Sequence, residues 1–528
     1  MSNQSFLKLC CLTFLSAIAL FFLSAITLSC SKTIETSTPE DVEIPRPAPD
    51  NEGNNKEEDG NTGSTAYGDL FLYGSNMGYY PGWTDEQLSE ILIGSPNSDG
   101  VGVNSLRPAM YDYFVEKYGY NNRLNAFKFY YQSGSKENVI FLSGPSEAHR
   151  DKTKYCATHE SGTFANLYEP IWNANGQIND NNYYATYVYN VVKTYGPYVK
   201  YWEVWNEPDY TYSWKATLTW GNEDPDPCNL NGFYAPIQSY VRMLRITYEV
   251  VKKLDPTDVV CLGGLGYEGF LDAIMRNTDN PDKGAVTNAY PKKGADWFDC
   301  VSYHVYPMYY LGHDKKNSDD AAKAIINHKN NFENVLKKYQ YSGKKSYIVT
   351  ECNIPRKVFN DYIGSDEAQK NFMIKAAVIA QQSEIKGLHI YAPAESETLS
   401  AAADPYKAMG FYQKMPAAPY KATINSSGIS WRTTSRLLGN RHYDKARTEA
   451  MQLPSTVDGA AFYSISDKNY IYVLWAKSSG NSETASASYS FPTSFNIKSA
   501  TQYNWDEVKS QANSNSFKLT GTPIFVKP

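Results

Sequence analysis

Short apolar runs alternate with longer amphipathic stretches through most of this chain. Tyr184, Tyr187, Val188, Val191, Val192 and Tyr195 recur at steps of three and four, which puts them on one helix face. Ile237, Val241, Leu244, Tyr248 and Val251 repeat the pattern just ahead of Leu254-Asp255-Pro256. Such stripes read as packing faces rather than as ligand contacts. Between about residues 68 and 425 lie eight runs rich in β-formers. They are Leu70–Tyr73, Val103–Leu106, Asn138–Leu142, Tyr201–Trp205, Asp258–Leu262, Phe298–Ser302, Tyr347–Thr350 and Leu388–Tyr391. Strands alternating with helices predict a parallel sheet, and eight units predict an α/β fold, a closed (β/α)8 TIM barrel over 68–429. An open doubly wound sheet is the alternative, but no glycine-rich phosphate turn follows the first strand.

Beyond about residue 430 the pattern changes. Ala461–Ile465, Tyr470–Trp475, Ala485–Phe491 and Pro523–Val526 are short β-rich runs separated by turn residues, without helical stripes. They predict an antiparallel β-sandwich domain over 430–528.

The amino-terminal end carries a different signal. Lys8 precedes an apolar run from Leu9 to Leu28, followed by Ser29-Cys30. Small residues ahead of a cysteine favour a lipoprotein signal peptide over 1–29, cleaved so that Cys30 takes the lipid. Thr27-Leu28-Ser29 resembles a loose lipobox. An uncleaved signal anchor is the alternative, since the run is long enough to span a bilayer. Either way the expected address is the bacterial cell envelope, as an outer-membrane lipoprotein facing periplasm or cell surface, with a lipid bilayer as partner. Residues 30–67 hold few large apolar groups and read as a disordered tether.

Charge and composition narrow the chemistry. The net charge is -6 over 528 residues, close to neutral for this size, and no stretch is basic enough for a nucleic-acid partner. Aromatic residues make up 14%, with 44 Tyr, and their apolar faces suit the C–H faces of sugar rings. Cys261, Cys300 and Cys352 fall in or beside apolar strands and read as core thiols. Cys156 and Cys228 lie in loops on one barrel face; an exported location permits a disulfide between them, and spacing leaves the pairing open. The histidines are dispersed, with no His-Glu-x-x-His or Cys-x-x-Cys pattern, so no metal and no organic cofactor are expected.

The most specific stretch is Tyr201 to Asp209, which contains Trp205-Asn206-Glu207-Pro208. Proline biases the residue before it away from helix, so the strand ends there and delivers Glu207 to its carboxyl edge. That edge is where barrels build active sites. Glu351, after Tyr347–Thr350, ends the seventh predicted strand as Glu207 ends the fourth. Two carboxylates about 5–5.5 Å apart cleave glycosidic bonds with retention, and a gap beyond about 6.5 Å would favour inversion.

The Trp-Asn-Glu-Pro segment resembles the acid/base motif of clan A, the retaining glycoside hydrolases on (β/α)8 barrels. Similarity within the clan runs to glycoside hydrolase family 39 and its relatives. It rests on Trp202-Glu-Val-Trp-Asn-Glu-Pro208, Tyr240–Gly264, Ser302-Tyr-His-Val-Tyr-Pro307 and the terminal β-domain. The resemblance implies that Glu207 is acid/base, Glu351 nucleophile and Asn206 a ligand of the sugar 2-hydroxyl. It implies that Arg107, His304 and Tyr306 orient and charge-tune the site. Asn76, His149 and Trp214 are further substrate-binding candidates. The chain departs from the clan after the eighth strand, where Tyr391-Ala-Pro-Ala-Glu395 stands in place of a frequent Trp. The expected partner is a poly- or oligosaccharide. A transglycosylase using the same residues and a non-catalytic glycan-binding lipoprotein are the alternatives.

Overall fold

The computed structural model describes residues 69–95, 98–417 and 421–528. The predicted signal segment, Cys30 and the tether over 30–67 lie outside the described residues.

Nine parallel strands form the first sheet. They are β1 (Leu72–Asn76), β2 (Ser105–Arg107), β3 (Ala109–Tyr111), β4 (Asn138–Ser143), β5 (Val199–Val204), β6 (Val259–Cys261), β7 (Cys300–Val305), β8 (Ser346–Cys352) and β9 (Ile385–Ile390). Their hydrogen-bonded order is β2-β1-β9-β8-β7-β6-β5-β4-β3. The two ends of that row, β2 and β3, are consecutive in the chain on either side of Pro108, so the row closes into a ring. Proline has no N–H for the ladder, and the second of eight barrel strands is therefore divided there. The break is bridged by a side chain: Leu106 N donates to Asn138 Oδ1 at 2.9 Å.

Nine helices accompany these strands among the described residues: Asp85–Ile93, Asp112–Tyr118, Leu124–Gln132, Tyr183–Tyr195, Ile237–Leu254, Glu268–Arg276, Ser318–Lys338, Asp366–Gln382 and Ser426–Leu438. The stripe residues of Tyr183–Tyr195 are buried, as are Ile237, Val241, Leu244 and Val251 of the next helix. Asn182, Asn317 and Ser365 cap their helices by accepting from the third backbone N–H beyond. The last helix runs across residue 430.

Inside the barrel, Leu72, Val139, Tyr201, Cys261, Cys300 and Ile348 form one apolar layer at the amino-terminal end. Polar side chains fill the layers above it. His389 lies there because β1 has Gly74 opposite, where a Cβ would come within 2.3 Å of the imidazole.

The second domain is an antiparallel β-sandwich. Strands β10 (His442–Tyr443), β11 (Val457–Ser464), β12 (Asn469–Ala476), β13 (Ser486–Ser490), β14 (Ala500–Tyr503), β15 (Lys509–Ala512), β16 (Ser516–Thr520) and β17 (Ile524–Lys527) build it. The main sheet runs β10-β11-β12-β17-β14-β15, and β13 pairs with β16. Alternation along β12 divides its side chains. Ile471, Val473 and Trp475 join the barrel's core, while Tyr472, Leu474 and Ala476 pack with Tyr489, Phe491 and Phe517. A buried polar cluster pins the two domains: Lys375 Nζ donates to Asp319 Oδ2 (2.7 Å), and Trp475 Nε1 to Asp319 Oδ1 (2.7 Å). Among the described residues no helix is long and apolar enough to cross a membrane.

Candidate active site

After β5 the chain turns through Trp205 and Glu207, with φ of 73° and 49°. Left-handed backbone is costly for bulky residues and persists only where neighbours enforce it. Here Trp205 N donates to Leu142 O (2.9 Å) and Glu207 N to Gly263 O (2.6 Å). The approach requires glycine at 263, where a Cβ would stand 2.3 Å from Val204 O. The turn carries Asn206 and Glu207 to the mouth of the barrel.

Along and just beyond β7, Ser302, His304 and Tyr306 follow the two-residue period of a strand and reach the interior. Tyr303 faces the other way and donates its hydroxyl to Ile325 O (3.1 Å). On β8 the period is broken. Tyr303 pairs with Val349 but His304 pairs with Glu351, so Thr350 is an extra residue. This bulge lets two successive side chains serve the interior. Thr350 Oγ1 donates to Glu203 Oε1 (2.8 Å), and Glu351 meets the groups described next.

Arg107, fully buried at the end of β2, is the hub. Its Nε donates to Glu203 Oε2 (2.6 Å), and its Nη1 to Asn76 Oδ1 (2.9 Å) and Glu351 Oε1 (2.8 Å). Its Nη2 donates to Asn206 Oδ1 (2.8 Å), which orients that amide and leaves its N–H groups for other partners. Asn76 Nδ2 in turn donates to Thr350 O (2.8 Å). A buried guanidinium demands paired charge, and Glu203 and Glu351 supply it.

The second oxygen of Glu351 accepts from the Tyr306 hydroxyl at 2.6 Å. Glu207 Oε1 lies 2.8 Å from His304 Nδ1, which is also 3.8 Å from Glu351 Oε2. Burial pushes the His304 pKa down, but the Glu351 and Glu207 carboxylates outweigh it, and the net direction is upward. One oxygen each of Glu207 and Glu351 and one nitrogen of His304 lie within 4.8 Å of one another. Glu207 is 33% exposed and Glu351 13%. One carboxyl thus opens to solvent while the other is enclosed by hydrogen-bond donors. The same trio has the spacing of a metal site, but a cation there would compete with Arg107 and Tyr306 for both Glu351 oxygens.

Tyrosines wall the site. Tyr306 packs edge-on against Tyr406 (4.9 Å) and Tyr391 (6.0 Å). Burial, with added repulsion from Glu351 and Glu207, holds the Tyr391 hydroxyl far above its ordinary pKa.

The barrel thus brings together Asn76, Arg107, Asn206, Glu207, His304, Tyr306 and Glu351. Two further candidates have other surroundings. His149 hydrogen-bonds Asp112 Oδ2 through Nδ1 (2.9 Å) and stacks on Tyr183 (4.6 Å). Trp214 stands 60% exposed in the short turn Trp214–Leu218. Glu203, Ser302 and Thr350 went unnoticed in the sequence. An acidic residue at an inward position of an apolar strand was the available signal for Glu203. Cys156 and Cys228 are joined in a disulfide, with Cα atoms 5.4 Å apart, and tie the loops after β4 and β5. Cys261, Cys300 and Cys352 are buried and free.

No family model matches this chain, and no curated protein does. Among solved structures it is similar to an alpha-L-arabinofuranosidase from Thermotoga maritima in an arabinose complex. That match has 12% identity, covers 87% of this chain and 96% of the other, and has a TM-score of 0.51. It is also similar to the catalytic domain of GH30 xylanase C from Talaromyces cellulolyticus, with 12% identity, coverage of 88% and 98%, and a TM-score of 0.50. At such identity the likeness is one of fold.

Proposed function

We propose that this protein is a retaining glycoside hydrolase that cleaves O-glycosidic bonds of a poly- or oligosaccharide by double displacement. Glu207, the more open carboxyl, gives its proton to the leaving oxygen while the Glu351 carboxylate attacks the anomeric carbon. The glycosyl ester on Glu351 is then broken by a water whose proton passes to Glu207. Arg107 and Tyr306 hold Glu351 as an oriented anion, His304 fixes Glu207, and the free amide of Asn206 is placed to donate to a sugar hydroxyl.

One observation carries this reading: the two carboxyls offer oxygens within 4.8 Å of each other. Oxygens that near each other suit attack by the second carboxylate, and the reading predicts a product of retained anomeric configuration. The layout of the strand-end motifs favours family 39 and its relatives within clan A. Substituting Glu351→Gln should leave the fold intact and abolish turnover on a panel of plant, algal and host polysaccharides. Near-normal rates in that variant would sink the assignment. NMR of the first product gives the stereochemistry, and transfer products at high acceptor concentration would mark a transglycosylase instead. Glycan binding without any turnover by the wild type would mark a non-catalytic binding protein.

The leader and Cys30 support export and a lipid anchor at the cell envelope. Labelling with a radioactive fatty acid tests this: Cys30→Ser should lose the label.

A further inference from the structure

We infer that Tyr111 and Tyr113 form a second sugar-binding subsite, next to the ring that is cut and at its end away from the leaving group. The inference rests on the glycosidase reading above. It starts from position. Tyr111 closes β3 at its carboxyl end, the edge at which the two carboxylates sit. Tyr113 follows in the first turn of the helix Asp112–Tyr118.

The two rings are stacked, with centroids 5.0 Å apart and planes 13° from parallel. An unbroken series of contacts leads back to Arg107, which holds Glu351 and Asn206 alike. Arg107, 2.8 Å from Glu351, lies over the Phe141 ring at 4.6 Å, and Phe141 meets Tyr111 edge-on at 5.7 Å. The Tyr111 hydroxyl is pushed up to about 12 by burial, with Tyr113, Arg107 and Glu351 among the groups that act on it. On the other flank, Tyr210 donates its N–H to Glu207 O (3.1 Å) and packs on Tyr212 (5.3 Å). The leaving group departs on that flank, beside the acid.

The pair is built rather than incidental. Gly144, at φ +64°, runs against both rings, where a Cβ would come within 2.8 Å of Tyr111 Cδ1 and 3.1 Å of Tyr113 Cε1. The Tyr113 N–H donates to Gly144 O (3.1 Å), which locks the helix start to the loop after β4. Yet Tyr113 remains 43% exposed. A half-open tyrosine offers an apolar face and a polar rim, and a sugar ring has the matching C–H face and hydroxyl edge. The ligand class is therefore a glycan unit one step beyond the scissile sugar on its non-leaving side.

The test uses 4-nitrophenyl glycosides carrying one, two or three units of whichever sugar the wild-type enzyme cleaves. In the wild type, kcat/KM should rise tenfold or more from one unit to two, mainly through KM. Tyr113→Ala should cut that gain to less than threefold, and Tyr113→Phe should keep it. Gly144→Ala, which displaces the rings without removing them, should reproduce the loss. A gain that survives Tyr113→Ala, or a wild type without any gain, overturns the inference. Failure of the catalytic reading is separate, since it appears as residual turnover in Glu351→Gln on every substrate.

Discussion

Asp209 offers a stability test that needs no substrate. It lies two residues past Glu207 and is 1% exposed. Its Oδ2 accepts from Gly266 N (2.8 Å) and Tyr267 N (2.7 Å), while Oδ1 is buried without a partner. Burial, followed by repulsion from Glu207, raises its pKa from 3.8 to about 7 despite the two backbone bonds. Between those two values the folded protein holds a proton that the unfolded chain has released, so stability falls as pH rises. At about 1.4 kcal/mol per pH unit over roughly three units, ionised Asp209 costs about 4 kcal/mol once pH exceeds 7. Asp209→Asn keeps an acceptor for both N–H groups and never ionises. Urea unfolding followed by tryptophan fluorescence, at one-unit steps from pH 4 to pH 8, reads the difference. The stability of the variant relative to wild type should climb by about 4 kcal/mol between pH 4 and 7 and then level off. Parallel curves across that range would refute the account of Asp209.

Other perturbations probe the rest of the molecule. Glu203→Gln leaves the buried Arg107 balanced by Glu351 alone; kcat/KM should fall at least tenfold and stability by about 3 kcal/mol, read by steady-state kinetics and urea unfolding. Lys375→Met strands the buried Asp319 carboxylate between the barrel and the β-sandwich, and should cost about 3–5 kcal/mol in the same unfolding assay. Replacing both Cys156 and Cys228 with Ser opens a loop of 72 residues. Chain entropy puts that loss at about 4 kcal/mol, seen as a lower midpoint that reductant no longer shifts.

Periodicity along the chain was enough to read eight barrel strands, their helices and a β-rich end, because side-chain burial in a strand or helix depends on neighbours a few residues away. The places of Glu207 and Glu351 were legible for the same reason. Each follows an apolar run at a strand's carboxyl edge, and a parallel barrel gathers those edges at one mouth. Arg107 and Tyr306 also stand at strand ends and could be picked out there.

What the chain could not disclose by itself was register between strands far apart in sequence. The extra residue Thr350 shows only when β8 is laid against β7, and it decides that Thr350 and Glu351 both face inward. Glu203 reads as one polar residue in a strand until Arg107, Ser302 and Thr350 converge on it. His149 is a weaker candidate by position, and its partners Asp112 and Tyr183 come into view only in the fold. The division at Pro108, the left-handed turn at Trp205 and Glu207, and the stacking of Tyr111 on Tyr113 against Gly144 belong to the same class. Each is settled by contacts between segments that local patterning cannot align, because the pattern records which face a residue prefers and not which distant residue it will meet.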